Sequence, residues 1–153
     1  GKPENLKNIH FDFLEEIEDI FVAAKDYLRN LKARGIQKDH ILQSSTLMLL
    51  DKNNMTRQYI DDYLQENQII IKDSIDISDM DLLIDFARIG VGVACVIKNF
   101  VREDLENGTL VEIPLGFPIH KREVGFAYKK SVKPSKSLEL FVDFYKSHEL
   151  LHS

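Results

Sequence analysis

A chain of 153 residues with 44% hydrophobic and 29% charged side chains has the makeup of one folded domain, long enough to bury a core and too apolar to stay disordered. Its formal net charge of -5 argues against unaided binding to DNA or RNA, because such affinity rests on basic groups displacing phosphate counterions. A single cysteine, Cys95, excludes an internal disulfide or a thiolate metal cluster and fits a reducing cytoplasm, and apolar runs such as 91–97 fall short of the ~20 residues of a membrane span.

In chain order, 9–14 and 17–23 are rich in Ile, Phe and Val partly alternating with acids, which predicts two half-buried strands. Tyr27, Leu28 and Leu31 at helical spacing, with Gly35 as a stop, predict a helix over 25–34. A wholly apolar strand, 46–50, leads through Asp51-Lys52-Asn53-Asn54 to a helix whose Tyr59, Ile60, Tyr63 and Leu64 share a face. The same unit follows twice more. Strand 69–75 and loop Asp76-Ile77-Ser78 lead to a helix with Met80, Leu83, Ile84 and Ala87 on one side, its start read as a capping box of Ser78 with Asp81. Strand 91–97 leads to a helix over 98–106, closed by Asn107-Gly108 and a strand over 109–113. Strands alternating with helices imply βαβ crossovers and an α/β fold whose central, mainly parallel sheet is flanked by helices. Past the turn-rich stretch with Pro114, Gly116 and Pro118 come a strand over 122–129, a linker over 131–135 and a last helix, apolar on more than one side through Leu138, Leu140, Phe141, Phe144, Tyr145 and Leu151.

Several motifs are bland on inspection. His148-Glu149-Leu150-Leu151-His152 satisfies the zinc-peptidase pattern, but a catalytic zinc needs a third protein ligand and the chain stops one residue later, so a solvent-exposed terminal turn is the better reading and no metal is expected. Gly90-Val91-Gly92 has the glycines of a dinucleotide fingerprint in the wrong order, helix before and strand after, so it reads as a helix end and a tight turn into the sheet. The run Glu15-Glu16-Glu18-Asp19 matches no calcium loop and reads as solvated strand-edge carboxylates. Cys95, inside an apolar strand, reads as a small buried hydrophobe. No ordered catalytic triad and no phosphate-binding glycine loop is found, and neither enzymatic activity nor a cofactor is expected.

What remains is positional. In open parallel sheets ligands bind at the carboxyl ends of strands, against helix N-termini that attract carboxylates and phosphates. Three loops qualify. The first offers Asn53, Asn54, Thr56 and Arg57, the second Ser78, and the third Lys98 with Asn99, and together they point to a small anionic metabolite. The bland alternative is that Asn53 and Ser78 only cap helices.

Taken together, Ile17-Glu18-Asp19-Ile20-Phe21-Val22-Ala23, Met48-Leu49-Leu50-Asp51, Thr56-Arg57, Ile89-Gly90-Val91-Gly92-Val93-Ala94 and Leu105-Glu106-Asn107-Gly108-Thr109-Leu110-Val111 resemble the effector-binding domain of LysR-type transcriptional regulators over nearly the whole chain. Ile97 departs from the family, where a proline commonly follows the strand. The resemblance implies a periplasmic-binding-protein-like (type II) fold of two lobes, a small-molecule inducer in the cleft between them, and a separate N-terminal helix-turn-helix for DNA. On that alignment residues 1–125 are the second lobe, 126–153 are a strand and helix returning to the first lobe, and the first lobe and DNA-binding domain are absent. The final helix would then be left without its partner. It is expected to self-associate through Leu138, Phe141, Phe144 and Tyr145, as a dimer or higher oligomer, or to fold back on the sheet. A cytoplasmic regulator with no membrane contact is the first reading, a transport solute-binding protein the second, and an enzyme on a similar fold the third.

Overall fold

The computed structural model describes residues 9–129. Two strands, β1 (Ile9–Ile17) and β7 (Arg122–Lys129), form an antiparallel ribbon in which Ile17 lies opposite Arg122. The rest is built around a five-stranded sheet of order β4-β3-β5-β2-β6, comprising β2 (Asp19–Ala24), β3 (Thr46–Leu50), β4 (Asp73–Ile77), β5 (Val93–Ile97) and β6 (Leu110–Glu112). β3 pairs in parallel with both β4 and β5, while β2 runs antiparallel to β5 and β6. Four strands therefore share one direction and β2 is reversed. The mainly parallel sheet holds, with an exception that hydrophobicity could not reveal, because a strand covered on both faces reads as continuously apolar in either direction.

Side chains on successive strand residues point to opposite faces, and the sheet uses this to split its core in two. Ile20, Val22, Met48, Leu50, Ala94 and Val96 face one layer, closed by Leu83, Ile84 and Ala87 of α4 (Met80–Arg88). A 3-10 turn, Lys98–Val101, and α5 (Arg102–Asn107) complete it with Phe100, Val101 and Leu105. Phe21, Ala23, Leu47, Leu49, Val93 and Cys95 face the other layer, closed by Ile60, Tyr63 and Leu64 of α3 (Met55–Glu66). Tyr27 and Leu28 of α1 (Lys25–Ala33) and Leu42 of α2 (Ile41–Ser44) add to that layer. All five residues of β5 are buried. At about 1.5–3 kcal/mol for each fully buried large aliphatic side chain, this double coverage is what holds the central strands in place.

Between β6 and β7 the chain lies as a strap along α3. Its Ile113 and Ile119 are buried, and the hydroxyls of Tyr63 and Tyr59 donate to its carbonyls at Phe117 and His120. The turn-rich stretch is thus the device that carries the chain back from the sheet to the ribbon.

The expected glycine turn is scaffolding, for two distinct reasons. Gly90 has φ +82°, a left-handed conformation that ends α4 and costs other residues energy. Gly92 is needed for space, since a Cβ there would sit 2.3 Å from the Thr46 carbonyl oxygen. Other expectations shift in detail. β4 begins at Asp73, not at Ile69, and pairs Asp73 to Ile77 with Thr46 to Leu50. The helix after it is capped by Asp79, whose carboxylate accepts from the Leu82 N–H at 2.8 Å, so Ser78 lies one residue before the cap and the Ser78–Asp81 capping box does not form. Where the family commonly has proline, Ile97 is the buried last residue of β5, opposite Asp19. The linker and final helix, with the histidine pair at 148 and 152, lie outside the described residues.

Candidate functional site

The sheet order reverses at β3, whose sequence successor β4 lies on one side and whose later neighbour β5 lies on the other. At such a switch point the loops leaving the strands diverge and open a crevice at their carboxyl ends. Leu50, Ile77 and Ile97 end there, together with the start of β2 at Asp19. Two backbone bonds stitch this rim, from the Asp51 N–H to the Ile77 carbonyl at 3.0 Å and from the Lys98 N–H to the Glu18 carbonyl at 2.9 Å.

The loop from Asp51 to Thr56 is folded by its own polar side chains. Asp51 accepts from the Asn53 N–H at 3.1 Å, and Asn54 caps α3 by accepting from the Thr56 N–H at 2.8 Å. Asn53 and Ser78 are exposed, and Thr56 is half-buried. Thr56 Oγ1 accepts a hydrogen bond from Arg122 at 3.0 Å.

The two cations expected here are already engaged. Arg57 is buried at 8% exposure, its Nε donating to Asp61 at 2.8 Å and its Nη1 to Asp76 at 2.6 Å and to the Leu50 carbonyl at 3.0 Å. Burial pushes its pKa down, but the hydrogen bonds and charges of Asp61 and Asp76 outweigh that and the net shift is upward. Its guanidinium is a brace between α3, β3 and β4 and is turned inward, away from the role of an exposed anion clamp. Lys98 Nζ lies 3.2 Å from Glu18 and 3.5 Å from Glu112, and the Glu18 hydrogen bond leads the causes that raise its pKa. The structure thus gathers Asn53, Asn54, Thr56, Arg57 and Ser78 around the ends of β3 and β4, and sets Lys98 on the β2 and β6 side.

The pair missed in the sequence is Asp19 with Arg122. Asp19, read as one of four solvated carboxylates, is 3% exposed and accepts from Arg122 through both oxygens, at 2.7 Å from Nε and 3.0 Å from Nη2. The guanidinium also lies 5.6 Å from the centre of the Tyr59 ring. Burial lowers the Arg122 pKa, but the hydrogen bond and charge of Asp19, joined by Cys95 and Tyr59, outweigh that and the net shift is upward. The only hint in the sequence is that Asp19 directly precedes a run of five apolar residues, Ile20 to Ala24; its partner lies 103 positions away. Cys95 is buried beside this pair. Desolvation drives its thiol pKa well up, the Asp19 charge adds to the shift, and Arg122 opposes it.

Two hollows border the strap between β6 and β7. One of about 180 Å³ is lined by Glu18, Asp19, Phe21, Glu112 and Ile119 at the rim. The other, about 250 Å³, lies beside the C-terminal half of α3 among Leu42, Tyr63, Asn67, Ile69 and Phe117; neither is lined by an expected ligand residue, and Thr56 and Arg57 line a third of about 10 Å³ with Leu50, Ile60 and Cys95. Among the described residues no group of three or more His, Cys, Asp or Glu could hold a metal ion, and no helix is long and apolar enough to cross a membrane.

An α/β sheet with polar loops at a switch point has the architecture in which ligand-binding modules are built. Residues 1–149 match the LysR substrate binding domain, and the chain belongs to that family. It is a ligand-sensing regulatory domain with a type II periplasmic-binding-protein-like fold. A comparison with curated proteins gives no match. Among solved structures, a regulatory-domain variant of HypT from Salmonella typhimurium is 19% identical, with 97% of this chain and 71% of that chain covered and a TM-score of 0.63. Full-length HypT, described as a hypochlorite-specific LysR-type transcriptional regulator, gives 18% identity, 97% and 50% coverage and a TM-score of 0.62. The effector-binding domain of QuiR in complex with shikimate gives 18%, 99% and 70%, and 0.60. The CcmR regulatory domain of Synechocystis PCC6803 in complex with 2-PG gives 13%, 100% and 71%, and 0.60.

Proposed function

We propose that the rim formed by the ends of β3 and β4 is half of an inducer pocket, and that its ligand is a small anionic metabolite. The observation that carries this reading is Thr56, a half-buried hydroxyl in the first turn of α3 at the switch point of the sheet. The helix dipole favours negative charge there. Asn53, Thr56 and Ser78 offer polar atoms to the ligand, Asn54 and Arg57 hold the loop, and Lys98 bounds the far side with its charge balanced by Glu18 and Glu112. Attraction for an anion then comes from the Thr56 and Ser78 hydroxyls and the helix dipole more than from free guanidinium, since the N–H groups of Asn53, Asn54, Thr56 and Arg57 donate within the loop.

Residues 1–125 are on this reading the second lobe and 126–153 a return to the first; the first lobe and an N-terminal helix-turn-helix for DNA would come from outside these 153 residues. Ligand binding biases the lobe arrangement of the intact cytoplasmic regulator and so its DNA binding. In the 153-residue chain, without the first lobe, the final segment self-associates through Leu138, Phe141, Phe144 and Tyr145 or folds back on the sheet. The domain senses and does not catalyse; a transport solute-binding protein would share the fold, and the family match favours the regulator.

A thermal-shift screen of small carboxylates and phosphate esters tests the pocket. A binder at a hundred times its Kd should stabilise the wild type by about 2.7 kcal/mol and leave Thr56→Val and Ser78→Ala unshifted. Equal stabilisation of both variants would move the site elsewhere, and a screen in which only cations or neutral compounds bind would overturn the anion.

A further inference from the structure

Arg122 stands where three pieces of chain meet: the start of β7, the start of β2 and the first turn of α3. Its partner in the ribbon is Ile17, two residues before Asp19, so its side chain lies at the junction where the ribbon gives way to the sheet. The forked bond to both oxygens of a buried carboxylate fixes the plane of the guanidinium, and the Tyr59 ring lies beside it. Nη2 is shared. It donates to Asp19 at 3.0 Å and to Thr56 Oγ1 at 3.0 Å. Because Thr56 accepts from Arg122, its own proton is left to be donated, and polarisation by the cation makes it a better donor to an anion. A ligand oxygen on that hydroxyl and the guanidinium behind it therefore act on the same atom.

We propose that Arg122 is a positioning residue that couples the ligand loop to the β1–β7 ribbon: Thr56 holds the guanidinium, the guanidinium holds Asp19, and the state of the loop is thereby felt in the two strands. The ligand half of this statement rests on the pocket proposed above. The mechanical half does not, and it makes a demand that simple structural support would not. Replacing Thr56, which lies on a helix, should loosen strands that it reaches through Arg122.

Hydrogen exchange of the 153-residue chain without ligand tests it, with amides of Glu15 to Ile17 and Arg122 to Val124 as reporters and those of β5 as internal controls. Thr56→Val should speed reporter exchange about tenfold, the factor a lost charge-assisted hydrogen bond carries into a local opening equilibrium, with β5 unchanged. Thr56→Ser should return it to the wild-type rate, and Thr56→Val should add nothing in an Arg122→Gln background. Wild-type reporter rates in Thr56→Val, or additive effects in the double variant, would overturn the coupling. Should Arg122→Gln fail to fold, the Val and Ser substitutions still decide, since both keep Arg122. No ligand is used, so a failure here leaves the pocket standing, and an empty ligand screen leaves the coupling standing.

Discussion

The two ends of the five-stranded sheet are built on opposite principles. At the end where β5 begins, Gly92 packs directly under the Thr46 carbonyl, and uncharged donors of Thr46 make the polar bonds, its N–H to the Tyr27 hydroxyl at 3.0 Å and its Oγ1 to Asp73 at 3.1 Å. At the other end, long side chains span the gaps, Arg57 between α3, β3 and β4 and Arg122 between β7, β2 and α3. The arginine-braced end is made of side-chain bonds of the kind a ligand's atoms replace, and the proposed pocket lies there, away from the glycines.

The largest expected effect breaks the exchangeable end. Asp19→Ala leaves the Arg122 cation without its carboxylate, and removal of one partner of a buried pair costs about 3–5 kcal/mol. The Arg122 side chain retains 18% exposure and can turn toward water, so denaturant melts should give a loss near the lower bound. At the rigid end, Gly92→Ala should cost about 1–3 kcal/mol in the same assay, because the backbone it strikes must shift. Gly90→Ala meets no atom within 4 Å and should lose only the left-handed penalty of about 1–2 kcal/mol. If Gly90→Ala proved the costlier of the two, close packing would not be what distinguishes this end. Asn54→Ala should remove about 1 kcal/mol of helix capping and fray the start of α3, visible as faster exchange at Thr56 and Arg57.

The smallest effect is one of pH. The Cys95 thiol has a raised pKa in the fold, so above the unfolded value of about 8.5 the unfolded chain releases a proton that the folded chain keeps. That contribution to stability is complete below about 8.5 and declines as pH rises toward the folded value. The wild type should therefore lose more of its Tm than Cys95→Ala between neutral pH and mildly alkaline pH; parallel slopes would show that the thiol is not protected.

Local signals carried far along this chain. Thr46 to Leu50 is a strand with the expected bounds, Tyr59, Ile60, Tyr63 and Leu64 share a helix, and Gly90 ends another, since each depends on neighbours within a turn or two. The cap at Asp79 in place of Ser78 is a slip of one residue between two adequate cap formers. The grouping of the candidate residues at one end of the sheet was legible, and the partners their side chains take were less so. For Arg57 the i+4 acid Asp61 on the same helix was a local signal of pairing, while Asp76 lies 19 positions away; Asp19 looked like a surface acid because Arg122 is 103 positions away.

The order of strands and helices, the apolar faces and the family likeness were determined by the sequence alone, because periodicity, caps and turns are properties of short windows. The reversal of β2, the burial of Arg57 and the union of Arg122 with Asp19 and Thr56 were decided only by the tertiary structure. Whether a charged side chain is solvated or spent on a partner depends on which distant carboxylate the fold brings within 3 Å, and no local pattern records that.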